Sequence, residues 1–194
     1  MIDFIKNYHN PSSLYIGNKW LWLRIHKNAG TSMYDDYLCD HCINHPKKDS
    51  RKALKWIRDI TEEQLKEYTV WACVRNPYDR FNSVASMFGI GPNRFAREFD
   101  SLRGKKSIIK RHSEPQHLFT HFEGKQMAGV ILRFENIQSD FNFICDTIGL
   151  ERHSLKRINR SNHGNWYETF NRETIDFVNR YYALDFAYFN YWMI

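Results

Sequence analysis

Cysteine is scarce in this chain of 194 residues, which holds only Cys39, Cys42, Cys73 and Cys145. Two of them, Cys73 and Cys145, sit inside apolar runs, so no disulfide framework is expected. Cys39 and Cys42 form a CxxC with His41 and His45 close by, but no second ligand pair follows at a zinc-site spacing. Proline (5) and glycine (9) are sparse, and there is neither an internal repeat nor a low-complexity tract. Long apolar runs are missing too. Residues 20–25 are already interrupted by Arg24, and no stretch nears the ~20 residues of a bilayer span. The opening MIDFIKNYHNPSS lacks the apolar core of roughly 7–15 residues that marks a secretory leader, so the expected location is the cytoplasm. Two phosphate-binding signatures are absent as well. No G-x-x-x-x-G-K-[ST] occurs, and Gly89-Ile90-Gly91 runs into Pro-Asn-Arg rather than completing a GxGxxG.

What is present is an ordinary globular balance, with 42% hydrophobic and 26% charged residues. That balance and the length fit one domain over 1–194, with a core at about 20–191. Lys plus Arg total 28 against 22 Asp plus Glu, a net charge of +6. Such a surplus suits an anionic partner such as a nucleotide, a nucleic acid or an acidic substrate, or simply a solvated basic surface. Strand and helix patterns alternate, the mark of an α/β layer fold with a central, mainly parallel sheet flanked by helices. Residues 20–25, 70–74 and 130–134 read as buried strands, because continuous apolar runs suit strands covered on both faces. Thr61-Glu62-Glu63-Gln64 is a capping box. Phe81, Val84, Ala85 and Phe88 repeat at helical spacing after Pro77. Ile137, Phe141, Ile144 and Ile148 do the same between Asn136 and Gly149, and Ile175, Val178 and Tyr182 after Asn171. The stretch 89–126 is weakly patterned and reads as a helix plus long loops near a site.

Two strand-to-helix junctions carry the chemistry. In Ile25-His26-Lys27-Asn28-Ala29-Gly30-Thr31-Ser32-Met33, small residues open a helix beside a cation and two hydroxyls. Backbone N–H groups at such a start form an anion cradle, although an ordinary turn has the same look. In Val74-Arg75-Asn76-Pro77-Tyr78-Asp79-Arg80-Phe81-Asn82-Ser83, a strand ends at an Arg and Pro77 opens the next helix. Arg at the carboxyl end of a strand lies where α/β sheets bind ligands, and its planar fork suits phosphate. Pairing of Arg75 and Arg80 with Asp79 or Glu135 is the structural alternative.

Together the junctions resemble the sulfotransferases that use 3′-phosphoadenosine 5′-phosphosulfate, and most closely their carbohydrate branch. The first is similar to the 5′-phosphosulfate loop of that family, with His26 where Pro is usual. The second is similar to its 3′-phosphate motif, V-R-N-P-[YW]-D-R-x-x-S. Three further stretches agree in order: Arg133-Phe134-Glu135-Asn136-Ile137 with Asp140-Phe141, then Asn159-Arg160-Ser161-Asn162-His163, then Tyr182-Ala183-Leu184-Asp185-Phe186 through Tyr191. The likeness covers residues 20–191. It implies a P-loop-like sulfotransferase fold and sulfuryl transfer to a hydroxyl acceptor, with a sugar or glycan favoured. It also implies no metal, while the short apolar runs argue against membrane insertion and no nucleic-acid partner is expected. Lys27 would stabilise the leaving oxygen, while Asn28, Ala29, Gly30, Thr31, Ser32 and Met33 hold the phosphosulfate. Arg75 and Ser83 would take the 3′-phosphate, and Arg160 and Ser161 the cofactor loop. The resemblance suggests His45 as the base, with His41, Asp35, Asp36 and Glu114 as rivals; His112, His117 and His121 lie where acceptor loops belong. A kinase with an atypical phosphate loop and a non-catalytic nucleic-acid-binding module are the competing readings.

Overall fold

The computed structural model describes residues 3, 14–17, 19–38, 61–105, 107–156 and 164–194. Strands β1 (Leu14–Gly17) and β2 (Trp20–Leu23) are followed by helices α1 (Gly30–Asp36) and α2 (Glu62–Lys66) and strand β3 (Thr69–Val74). Helices α3 (Pro77–Met87), α4 (Pro92–Arg97), α5 (Phe99–Lys105) and α6 (Ser107–Ser113) come next. A 3₁₀ turn, Gln116–Phe119, leads to the short strands β4 (His121–Phe122) and β5 (Lys125–Gln126). Strand β6 (Val130–Arg133) and helices α7 (Ile137–Ile148), α8 (Trp166–Thr169), α9 (Arg172–Tyr181) and α10 (Ala183–Phe189) complete the series. The chain is thus α/β. It divides into two compact units: Met1–Ile25 with Ala29–Val74 and Leu118–Ile158, and His26–Asn28 with Arg75–His117 and Asn159–Ile194.

The first unit holds a sheet of order β1-β2-β3-β6. Its β2, β3 and β6 are parallel, and β1 adds an antiparallel edge. Leu21 pairs with Val70 and Cys73 with Leu132. The side chains of β2 are all buried, as its unbroken apolar run demands. Trp22 and Trp71 stack with ring centroids 5.1 Å apart, and the pair continues into Leu132, Phe141 and Ile144. Each such side chain contributes about 1.5–3 kcal/mol by leaving water. The capping box forms as the sequence implies: Gln64 N donates to Thr61 Oγ1, and Thr61 N donates to Gln64 Oε1. Gly149 closes α7 at φ 75°, but Asn136 makes no side-chain cap. The Asp140 carboxylate instead accepts from Arg133 N, tying the end of β6 to α7.

The second unit is helical. Phe81, Val84, Phe95, Phe99, Ile109, Val178, Tyr182 and Phe186 form its core. Asn76 caps α3 by accepting from Tyr78 N, with Pro77 at the first helical position. Asn171 caps α9 through Thr174 N. The stretch 89–126 is more regular than its sequence suggests: α4, α5 and α6 occupy most of it, and β4 and β5 form a hairpin. Each helix in that stretch, of six or seven residues, is shorter than two turns, so its apolar period never repeats.

Candidate functional site

The second unit gathers the cations of both junction motifs. Lys27 and Arg75 are half-buried, and Arg80, on α3, is fully buried. The Arg80 guanidinium is anchored by backbone: Nε donates to His26 O at 3.1 Å, and Nη2 donates to His112 O at 2.9 Å. Its third nitrogen, Nη1, is buried without a hydrogen-bond partner among the described residues. Arg75 Nη1 donates to Lys27 O at 3.3 Å. The two guanidiniums therefore hold the peptide carbonyls on either side of the Lys27 Cα. Burial first, and then the charges of Arg75 and Arg80, lower the Lys27 pKa below its ordinary value. Three cations drawn together at this depth favour an anion in their midst.

Gln116 fixes the Arg75 corner. Its side-chain amide pairs with the Arg75 backbone like a strand, accepting from Arg75 N at 2.9 Å and donating to Arg75 O at 2.8 Å. The same Oε1 accepts from Asn28 Nδ2 at 2.7 Å. Gln116 is held in turn by buried Asp185, whose carboxylate accepts from Gln116 N and from His117 N and Nδ1. Asp185, which the sequence offers only as part of a terminal pattern, thus caps the 3₁₀ turn that positions Arg75. Nothing local marks Gln116, because its partners are distant in sequence.

His112 closes the cluster from α6. Its Nδ1 lies 2.8 Å from Ile108 O, an acceptor, so the proton belongs on Nδ1. Its ring stacks on His26, with centroids 4.3 Å apart. Burial first, and then the charges of Lys27, Arg111 and Arg80, push its pKa down against the opposing pull of the Ile108 carbonyl.

Other expected site residues are placed as follows. Asn28 and Ser83 are buried, Ser83 at 2% exposure on α3, where its neighbour Asn82 donates to Gly164 O. In the first unit, Ala29 precedes α1 in a left-handed conformation and carries no side-chain cap. Met33 is buried, and its N–H already donates to Ala29 O, so the amides left at the helix start are those of Gly30, Thr31 and Ser32. A Cβ on Gly30 would stand 2.7 Å from Arg24 Nε, at the flexible end of that side chain. His45, Arg160, Ser161, Cys39, Cys42 and His41 lie outside the described residues, as do the side chains of Asp35 and Asp36. Glu114 is buried, and His117 is engaged by Asp185. Among the described residues no group of three or more His, Cys, Asp and Glu could hold a metal ion, and no helix is long and apolar enough to cross a membrane. The chain matches no protein-family model, no curated protein and no solved structure.

Proposed function

We propose that this chain is a sulfotransferase, moving the sulfuryl group of 3′-phosphoadenosine 5′-phosphosulfate to a hydroxyl acceptor of the sugar or glycan class, on a single P-loop-like domain. The observation that carries the reading is the Lys27–Arg75–Arg80 cluster, together with the buried Nη1 of Arg80, which has no hydrogen-bond partner among the described residues. A donor bearing a 3′-phosphate and a phosphosulfate carries charge opposite to that of this cluster. In the transfer, the bond from sulfur to the bridging oxygen breaks and that oxygen gains charge. A preorganised ammonium in a partly desolvated place stabilises this charge best, and Lys27 meets that requirement. Arg75, its backbone held on both sides by Gln116, gives the 3′-phosphate a fixed fork. The resemblance adds Ser83 at that phosphate, the amides of Gly30, Thr31 and Ser32 at the phosphosulfate, and Arg160 and Ser161 on the cofactor loop.

The test is thermal stability with adenosine 3′,5′-bisphosphate in the presence of EDTA. At about 100 times Kd, binding adds about 2.7 kcal/mol, and 5′-AMP should add much less. Equal stabilisation by 5′-AMP removes the 3′-phosphate assignment. Stabilisation by ATP only with Mg²⁺ favours a kinase. Stabilisation only by an oligonucleotide, falling steeply with salt, favours a nucleic-acid-binding module.

A further inference from the structure

His112 has a geometry that no motif of the sequence accounts for. Three contacts fix it. Its Nδ1–H donates to Ile108 O at 2.8 Å, its ring stacks on His26, and its own carbonyl accepts from Arg80 Nη2 at 2.9 Å. His26 is the residue that stands in the phosphate loop where the similar family usually has Pro. Its ring packs on His112, and its carbonyl binds the same guanidinium that binds the His112 carbonyl. The Nδ1–H tautomer leaves Nε2 with its lone pair, so the ring is held ready to accept a proton.

We propose that His112, through Nε2, is the general base that takes the proton of the acceptor hydroxyl. This inference rests on the sulfotransferase reading. As the acceptor oxygen forms its bond to sulfur, its proton passes to His112 Nε2. The bond from sulfur to the bridging oxygen breaks, and its electron pair leaves with the 5′-phosphate of adenosine 3′,5′-bisphosphate. The imidazolium then returns its proton to water. The charged and titratable groups around the ring all oppose its protonation before the acceptor arrives. Lys27 bears on it from the phosphate loop, Arg80 from α3 and Arg111 from its own helix, while His26 covers one ring face. At neutral pH His112 is therefore in the form a base requires.

The experiment compares wild type, His112→Ala, His112→Gln and His45→Ala in sulfuryl transfer and in calorimetric binding of adenosine 3′,5′-bisphosphate. It also reads the imidazole nitrogens of the wild type by ¹⁵N NMR. Turnover in both His112 variants should fall about 10²–10⁴-fold, with the product Kd within a few-fold of wild type. Both substitutions keep the main-chain carbonyl that holds Arg80, and the binding measurement reports whether each variant is folded. Added imidazole should restore part of the His112→Ala rate, and the acid limb of the wild-type pH–rate profile should vanish in that variant. The NMR should show the Nδ1–H tautomer, titrating below an ordinary histidine. Near-normal turnover in the His112 variants, or a large loss confined to His45→Ala, overturns the assignment and leaves the sulfotransferase reading standing. Failure of wild type to bind adenosine 3′,5′-bisphosphate removes that reading, and the assignment falls with it.

Discussion

Lys27 is held in an unfavourable place for a charge, and this makes a pH-dependent signature. Its pKa is lowered by burial and by Arg75 and Arg80, so an anion bound among these groups raises it again. Binding of adenosine 3′,5′-bisphosphate at alkaline pH should therefore take up protons, with the uptake fading toward neutrality where Lys27 is already charged. Calorimetry in buffers of different ionisation enthalpy measures this directly, and release or no exchange at alkaline pH would count against Lys27 facing the anion. His112 gives the opposite kind of dependence, in stability. Its folded pKa lies below the unfolded value of about 6.5. Between the two values the unfolded chain binds the extra proton, so stability falls as pH drops through about 6.5 and levels off below the folded value. Chemical denaturation should show this slope in wild type and a shallower one in His112→Gln. Gly30 supplies a test in the first unit. A Cβ there meets Arg24 Nε at 2.7 Å, the far end of a flexible side chain, so Gly30→Ala should displace that side chain and change stability by less than about 1 kcal/mol. A large loss of stability would mean that Arg24 cannot move aside.

At the scale of elements, the 3₁₀ turn Gln116–Phe119 matters more than its length suggests. It is capped by the Asp185 carboxylate and presents the Gln116 amide to the Arg75 backbone. Gln116→Leu keeps the volume but strands the Arg75 N–H and C=O, and an unmet buried group costs about 1–3 kcal/mol. The variant should lose stability by that order and weaken adenosine 3′,5′-bisphosphate binding, because Arg75 loses its fixed backbone. Unchanged affinity would show that Arg75 needs no such support. The contrast with α3 shows why some elements can be read from sequence and others cannot. Pro77, the Asn76 cap and the apolar period of Phe81, Val84 and Ala85 all lie within one helix and announce it. The Gln116 contacts reach across 41 and 88 residues to Arg75 and Asn28, beyond any local pattern. The short helices α4, α5 and α6 escape detection for a related reason: each shows too few turns for a period.

At the scale of the whole molecule, the α/β class and the three parallel strands are legible because β2, β3 and β6 are continuous apolar runs. The edge strand β1 is not, although Leu14-Tyr15-Ile16 is an apolar run as long as Val130-Ile131-Leu132 of β6. Of the site, the sequence singles out Lys27 and Arg75, which the second unit brings together through the Lys27 carbonyl. Arg80 belongs by sequence to the second junction motif, with pairing to Asp79 or Glu135 as the structural alternative; its guanidinium binds two main-chain carbonyls, and its Nη1 has no hydrogen-bond partner among the described residues. Tertiary contacts alone assign it that place. The central claim is sulfuryl transfer assisted by Lys27. It is tested most directly by following the sulfuryl group of 3′-phosphoadenosine 5′-phosphosulfate into a panel of sugars, in EDTA, with wild type and Lys27→Ala. Wild type should give a sulfated product and the variant a rate lower by about 10²–10³, the loss expected on removing a donor aimed at developing charge, while adenosine 3′,5′-bisphosphate still binds. A Lys27→Ala rate within a few-fold of wild type, or no transfer by wild type to any hydroxyl acceptor, would contradict it.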